Sequence, residues 1–205
     1  MYKSVSSIFA ILAFASSFAP AANAVTLSVI PEGPAVNVGS TFSVDVMASG
    51  LVDGAAPSIG TYDLDLSYNS SVVSFASATF GTGLDVLGLG SIQELDSGTP
   101  GKVNVFELSL DSEADLNQLQ NDTFKLFTLT FNAAAAGSTA LGLTVNALGD
   151  AAGNSLDATL QNASVAVAPV PLPPAVLLLL SGLCALALTH TRRPADRSSI
   201  RSWAA

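Results

Sequence analysis

The side chains of this chain that are best suited to chemistry are carboxylates. Asp63 and Asp65 stand two positions apart, so both face the same side of a β-strand. Two carboxyl groups at a defined separation are the catalytic apparatus of glycoside hydrolases, which makes a polysaccharide-processing enzyme one hypothesis. A solvated strand face is the alternative that the sequence favours, because no aromatic residue marks the apolar pocket that a general acid needs.

A second group of oxygen-bearing side chains consists of Asp150, Asn154 and Asp157. Carboxylate and amide oxygens are ligands that Ca²⁺ prefers, so these three residues are candidate calcium ligands. Their spacing matches neither the EF-hand loop nor the nonapeptide calcium repeat. An Asx-rich turn without metal is the simpler interpretation, and no other cofactor is predicted.

The usual nucleophiles and bases are missing from the central part of the chain. The one histidine and the one cysteine, His190 and Cys184, both belong to the C-terminal apolar segment. A Ser-His-Asp or Cys-His site and a His/Cys zinc site therefore cannot be built from residues 25–167. We predict no catalytic residue and expect that the protein is not an enzyme.

The charge of residues 25–167 limits the partners that they can bind. This stretch has 15 acidic residues against two lysines, which gives a net charge of −13. Nucleic acid is not expected as a partner, because phosphate binding needs clustered Lys and Arg. Acidic polysaccharide would be repelled unless divalent cations bridged the two. With a single cysteine in the chain, the domain must rely on its hydrophobic core rather than on an internal disulfide.

The same stretch alternates apolar and polar residues with a period of two, which is typical of strands with one buried face. The clearest strand runs from Tyr62 to Tyr68. From Val103 to Leu110 the apolar phase changes after Val105, which indicates a bulge or a strand that changes sheets. Ser112 to Gln120 is predicted to form a short helix with Ser112 as N-cap. Eight or nine short strands separated by turn residues predict an all-β fold, a two-sheet antiparallel sandwich.

Several segments of this stretch occur in an order that resembles cohesin domains. They are VGSTFSVDV at 38–46, GTYDLDLSYNSSVVSF at 60–75, GKV at 101–103, LFTLTF at 126–131 and GST at 137–139. The resemblance covers most of residues 25–167 and implies a nine-stranded jelly-roll sandwich, related to carbohydrate-binding modules and used for binding. Cohesins usually carry Tyr-Asp-Pro where this chain has Tyr68, Asn69 and Ser70, so the match is to a diverged branch. Dockerin binding is therefore not carried over.

Residues 1–24 have the pattern of a secretory signal peptide. Lys3 precedes an apolar stretch from Ile8 to Phe18, and Ala22 and Ala24 frame a small-x-small cleavage site. A retained membrane helix is disfavoured because the apolar stretch is short and is followed by Pro20. We expect export by the Sec translocation machinery and cleavage by signal peptidase.

The last forty residues combine a proline motif, an apolar segment and a basic stop. The linker at 168–174 ends in the motif Val170, Pro171, Leu172, Pro173 and Pro174. Residues 175–191 are predicted to form a transmembrane helix, although 175–189 span only about 22 Å of a hydrocarbon core of roughly 30 Å unless the motif is added. Arg192 and Arg193 begin a basic tail over 192–205, which the positive-inside rule places in the cytoplasm, with the sandwich outside.

This arrangement resembles the PEP-CTERM family of bacterial sorting signals, in its VPLPA variant. The resemblance implies an exosortase, a membrane-embedded cysteine-dependent transpeptidase or protease of Gram-negative bacteria that make exopolysaccharide. It also implies a protein that crosses the inner membrane, is anchored there transiently and ends at the cell surface or in the extracellular matrix. Pro174 replaces the usual Ala, and the tail after Arg193 is longer than usual. The alternative is a plain single-span anchor without processing.

The features together predict a noncatalytic exported surface or matrix protein whose sandwich binds exopolysaccharide or a matrix protein. The polysaccharide-processing enzyme and a membrane-anchored structural adhesin remain as alternatives. Exposed aromatic residues commonly bind sugars, but Trp203 lies in the tail, and Tyr62 and Tyr68 fall on the predicted buried face. The sequence therefore shows no flat aromatic platform for a sugar.

Overall fold

The computed structural model describes residues 24–170 and 174–190 of the 205-residue chain. Within these residues the chain forms eleven strands and two helices. The strands are β1 (Val25–Pro31), β2 (Ala35–Asn37), β3 (Thr41–Ser49), β4 (Ile59–Ser67), β5 (Val73–Phe80), β6 (Ser91–Asp96), β7 (Lys102–Ser109), β8 (Phe124–Ala133), β9 (Gly137–Asp150), β10 (Ala158–Gln161) and β11 (Ala163–Ala168). The helices are α1 (Glu113–Leu119) and α2 (Pro174–His190).

The strands form two sheets that enclose one hydrophobic core. One sheet has five strands in the order β10-β1-β3-β8-β5, and the other has six in the order β2-β11-β9-β4-β7-β6. The prediction of a two-sheet sandwich is confirmed, but its purely antiparallel pairing is corrected. β10 pairs with β1, and β11 pairs with β2, in the parallel sense. The last two strands of the domain, β10 and β11, lie beside the first two, β1 and β2, and run in the same direction as they do.

The alternation of β4 places its side chains as the sequence predicts. Tyr62, Leu64 and Leu66 are fully buried, whereas Asp63 and Asp65 lie on the outward side. β4 is flanked by β7 and β9, so its outward side chains lie near the middle of the larger sheet. The strand therefore contributes to the core with one face and to an open surface with the other.

The centre of the core is a cluster of aromatic rings around Phe131. The Phe131 ring lies 5.7 Å from Phe42, 5.1 Å from Tyr68 and 6.1 Å from Phe75, measured between ring centroids. The Phe42 ring is stacked, and the Tyr68 and Phe75 rings are edge-on. Such pairs add to the stabilisation that burial of their area provides. Phe131 thus joins both sheets of the sandwich.

The connection before β8 contains α1, which begins where the sequence predicts. The Oγ of Ser112 accepts a hydrogen bond from the backbone N–H of Asp115 at 3.2 Å. Gln120, just after the helix, is buried, and its amide binds both backbone groups of Ile59, at 2.6 Å and 2.9 Å. The same amide donates to the carbonyl of Gly83 at 2.8 Å. The connection is therefore fixed to β4 and to the loop before β6.

The predicted targeting segments fall largely outside the described residues. This holds for the signal peptide up to Asn23, including Ala22, for Pro171, Leu172 and Pro173, and for residues 191–205 with Arg192 and Arg193. The apolar segment forms α2, a helix of 17 residues that begins at Pro174. Within the residues that the structure describes, no helix is both long enough and apolar enough to cross a membrane.

Candidate functional site

The outward side chains of β9, β4, β7 and β6 form a continuous surface, which we call the front face. It is built by register: Asp65 lies opposite Asn104 of β7 and Thr144 of β9, and Asn104 lies opposite Asp96 of β6. Its members are Thr61, Asp63, Asp65, Ser67, Ile92, Glu94, Asp96, Lys102, Asn104, Phe106, Leu108, Thr144 and Asn146. The front face contains the two carboxylates that the sequence singles out.

The polar half of the front face is a network around Asp63 and Asp65. The amide of Asn104 donates to Oδ1 of both, at 2.6 Å and 2.9 Å. The Nζ of Lys102 pairs with Oδ2 of Asp65 at 2.9 Å, and the amide of Asn146 donates to Asp63 at 3.1 Å. Partial burial by itself raises the pKa of Asp65, but the bonds from Lys102 and Asn104 leave that pKa below its usual value. Asp65 therefore stays ionised, unlike the general acid that glycoside hydrolysis requires.

The other half of the front face is apolar. Ile92 of the edge strand β6 lies opposite Leu108 of β7, and these side chains are 45% and 38% exposed. The half-buried Phe106 stands between Asp63 of β4 and Glu94 of β6 in register. An exposed apolar patch that is bordered by charged residues is typical of a protein interaction site.

A buried carboxyl group behind the front face holds the edge strand in place. Glu107 is only 1% exposed, and its Oε2 accepts a hydrogen bond from the Tyr62 hydroxyl at 2.7 Å. Its Oε1 accepts hydrogen bonds from Ser91 at 2.6 Å and from Gln93 at 3.1 Å, both on β6. Burial, and then the carboxyl group of Glu107, raise the pKa of Tyr62 well above its usual value. Tyr62 is therefore a permanent donor, and β6 is tied to β4 across β7.

This buried group also corrects the sequence interpretation of β7. The strand pairs with β4 in an unbroken register from Thr61 and Leu108 to Ser67 and Lys102, without a bulge and without a change of sheet. The polar Glu107 occupies an inward position, while its apolar neighbours point outwards. The apolar residues of β7 change phase after Val105 because Glu107 points into the core, while Phe106 and Leu108 point to the surface.

The candidate calcium ligands are only partly brought together. Both oxygens of Asp150 accept hydrogen bonds from Asn154, from its backbone N–H at 2.7 Å and from its side-chain amide at 3.0 Å. Partial burial raises the pKa of Asp150, but these bonds leave it below its usual value. The backbone carbonyl of Asp157 accepts a hydrogen bond from the backbone N–H of Val25 at 2.9 Å. In the described residues, no group of three Asp, Glu, His or Cys side chains is placed to hold a metal ion.

The structure describes the two ends of the proline motif. Val170 is 60% exposed after the last strand, and Pro174 is the first residue of α2. Within α2 the side chains of Leu178, Leu179 and Leu180 are all exposed. Three consecutive residues cannot share one face of a helix, so the apolar surface of α2 is not a single stripe.

Comparisons with known proteins agree with this architecture. The family model described as Cohesin domain matches residues 27–167. Among solved structures, the cohesin CaCohA2 of Clostridium acetobutylicum is 24% identical, covers 71% of this chain and 91% of its own, and superposes with a TM-score of 0.54. A non-cellulosomal cohesin of the archaeon Archaeoglobus fulgidus is 21% identical with the same coverage and a TM-score of 0.54. A cohesin module from a family 33 glycoside hydrolase of Clostridium perfringens is 17% identical, with 72% and 99% coverage and a TM-score of 0.55. No curated protein matches the sequence.

Proposed function

Since the chain belongs to the cohesin domain family, we propose that it is an exported, noncatalytic protein whose front face binds a protein partner. Cohesin domains are noncatalytic protein-interaction modules. The observation that carries the proposal is the exposed patch of Ile92, Phe106 and Leu108 beside the carboxylates Asp63 and Asp65. A few central anchor residues, often aromatic, supply most of the binding energy at protein interfaces, and charged groups around them select the partner.

The charge of the front face indicates the chemistry of that partner. Asp63, Asp65, Glu94 and Asp96 outnumber the single cation Lys102 on this surface. A partner with an apolar centre and a basic or amide-rich border would complement it. A cohesin of Clostridium thermocellum, OlpC, has been solved in complex with a dockerin, and it is 13% identical to this chain with a TM-score of 0.58. This chain has Asn69 and Ser70 after Tyr68, where cohesins usually carry Asp and Pro, so its partner need not be a dockerin.

Site-specific crosslinking tests the front face directly. We expect that p-benzoylphenylalanine in place of Phe106 crosslinks the exported protein to a discrete partner in the extracellular fraction of the producing bacterium. The aromatic ring is kept, so the surface changes little. The matched control places the same group at Val52, which is 49% exposed in the loop between β3 and β4, where we expect no adduct. Equal adducts at both positions, or none at Phe106, would contradict the proposal.

For the two ends of the chain we propose export followed by exosortase sorting. A signal peptide over residues 1–24 delivers the domain across the inner membrane, and the segment from Val170 to Arg193 then acts as a transient anchor and sorting signal. In support, Val170 is exposed, and Pro174 opens α2 in the first turn, where proline is tolerated. The exposed leucines of α2 supply an apolar segment. The protein would thereby reach the cell surface or the exopolysaccharide matrix.

The intact mass of the mature protein tests this sorting. We expect a chain that begins at Val25 and lacks the residues after the proline motif, because an exosortase removes the apolar segment. Replacing Arg192 and Arg193 by alanine should leave the segment in place, whereas the same change at Arg197 and Arg201 should not. A mature wild-type chain that extends to Ala205 would identify a plain membrane anchor instead.

A further inference from the structure

The outward surface of the five-stranded sheet carries mainly hydroxyl groups, and we call it the hydroxyl face. Its residues meet in rows across the strands: Ser74, Asn132 and Thr41; Ser77, Thr130 and Ser43; Thr79, Thr128 and Asp45; Ser49, Thr26 and Thr159. Neighbouring strands are about 4.8 Å apart, so each row is a line of closely spaced polar groups. The two sheets of the sandwich thus present outward surfaces of different chemistry.

Most hydroxyls of this face are not used by the protein itself. Thr128 donates to Asp45 at 2.6 Å, and Ser28 donates to Gln161 at 3.0 Å. Ser49 donates to the carbonyl of Thr26 at 3.5 Å. Within the described residues, eight further hydroxyls of these rows make no hydrogen bond to the protein, among them those of Thr41, Ser43, Ser77, Thr79 and Thr130. Each hydroxyl can donate and accept, so the face offers both functions to a ligand.

The hydroxyl face is close to neutral in a domain with a net charge of −13. Asp45 and Lys125 neutralise each other in an ion pair of 2.7 Å. The carboxylate of Glu32, whose Oε2 accepts a hydrogen bond from the backbone N–H of Ser43 at 3.3 Å, adds one negative charge at the edge of the face. The face therefore has no positive excess with which to attract an anionic ligand, and the rest of the domain repels polyanions. Its complement is an uncharged molecule.

A shallow groove of about 420 Å³ lies in this face. It is lined by the aliphatic side chains of Ile30 and Pro31, by the hydroxyls of Ser43 and Thr128, and by the charged side chains of Glu32, Asp45 and Lys125. Ile30 is 51% exposed. A sugar ring has an apolar C–H surface and a rim of hydroxyls, so a groove with aliphatic and polar walls suits it.

We propose that the hydroxyl face binds a neutral polysaccharide. Protein interfaces are poor in serine, and serine and threonine are rare among their hot spots, so this face is unsuited to a protein partner. A single hydroxyl contributes little in water, because it exchanges one hydrogen bond for another, so a ligand must engage many hydroxyls in succession. A polymer of sugars does so. The site lies on the sheet opposite the front face and depends on the proposed function only for its extracellular location.

Affinity electrophoresis of the exported protein tests this site, with hydroxyethyl cellulose, galactomannan and dextran as neutral probes and alginate as the acidic one. We expect retardation by at least one neutral polymer and none by alginate in the absence of Ca²⁺. The double change Thr79→Val and Thr130→Val should weaken this binding at least tenfold, since valine keeps the β-branched shape and removes the hydroxyl. The matched control, Thr144→Val on the front face, should leave it unchanged.

Three results would overturn the inference: no retardation by any neutral polymer, retardation by alginate alone, or equal weakening by Thr144→Val. Circular dichroism establishes that each variant is folded. Crosslinking at Phe106 in the Thr79 and Thr130 variant separates the two proposals. If that crosslink persists while retardation is lost, the front face and the hydroxyl face bind independently.

Discussion

Replacing Phe131 by alanine is expected to lower the free energy of unfolding by about 3–5 kcal/mol, the range for removing a buried aromatic side chain. The ring is fully buried and contacts Phe42, Tyr68 and Phe75. Its loss leaves a cavity between the sheets, and the three neighbouring rings lose a packing partner. Urea denaturation of the exported protein, followed by far-UV circular dichroism, measures the change.

The matched control for this prediction is Phe106→Ala. Phe106 is the same residue type on a strand of the other sheet, but it faces outwards and is half-buried. Its removal is expected to cost about 1 kcal/mol or less, because no core cavity forms. Similar losses for the two variants would show that Phe131 is not at the centre of the core.

Replacing Glu107 by leucine is expected to destabilise the protein by about 1–3 kcal/mol, although leucine is apolar and the site is buried. The carboxyl group accepts hydrogen bonds from Tyr62, Ser91 and Gln93. Its removal leaves the buried hydroxyl of Tyr62 with only the carbonyl of Leu126, at 3.3 Å, which costs about 1–3 kcal/mol, whereas Ser91 and Gln93 are accessible to water. Because two of the donors belong to β6, the amides of Ser91–Asp96 should also exchange hydrogen faster than in the wild type.

Two further variants separate this network from a general effect of lost charge. Glu94→Leu makes the same change at an exposed position of β6 and is expected to shift stability by about 0.5 kcal/mol or less. Tyr62→Phe removes one donor and is expected to cost about 1–3 kcal/mol. If Glu107→Leu behaves like Glu94→Leu, the carboxyl group does not hold the edge strand.

The parts of the fold that follow from local pattern could be predicted from the sequence. The alternation of β4 places Tyr62 and Leu64 in the core, and the position of Ser112 before two acidic residues predicts the start of α1. These features depend on neighbours in the chain, whose geometry is fixed by the period of a strand or by the cap of a helix. From these local features the sandwich fold and the outward position of Asp63 and Asp65 could be predicted.

The front face as a whole could not be predicted, because strand register brings together residues that are far apart in the sequence. Asn146 bonds to Asp63 across 83 positions, and Asn104 does so across 41. In β7 the apolar periodicity does not follow the buried face, because the buried residue Glu107 is polar. The sequence contained one signal of the front face: Phe106 and Leu108 alternate with Val105, so β7 has apolar residues on both of its faces. Whether the second face was core or surface depended on β6, whose place at the sheet edge is not encoded locally.

The pairing of β10 with β1 also sets the order in which the domain can be completed. Ser28 of β1 and Gln161, the last residue of β10, are 133 positions apart, and the next segment, β11, closes the other sheet beside β2. Synthesis runs from the N-terminus, so β1 exists long before its edge partner does. Its open edge can pair with other chains during that interval. Partly synthesised copies can therefore associate through the edge of β1 until β10 and β11 have been made. A pause late in synthesis prolongs the exposure of this edge.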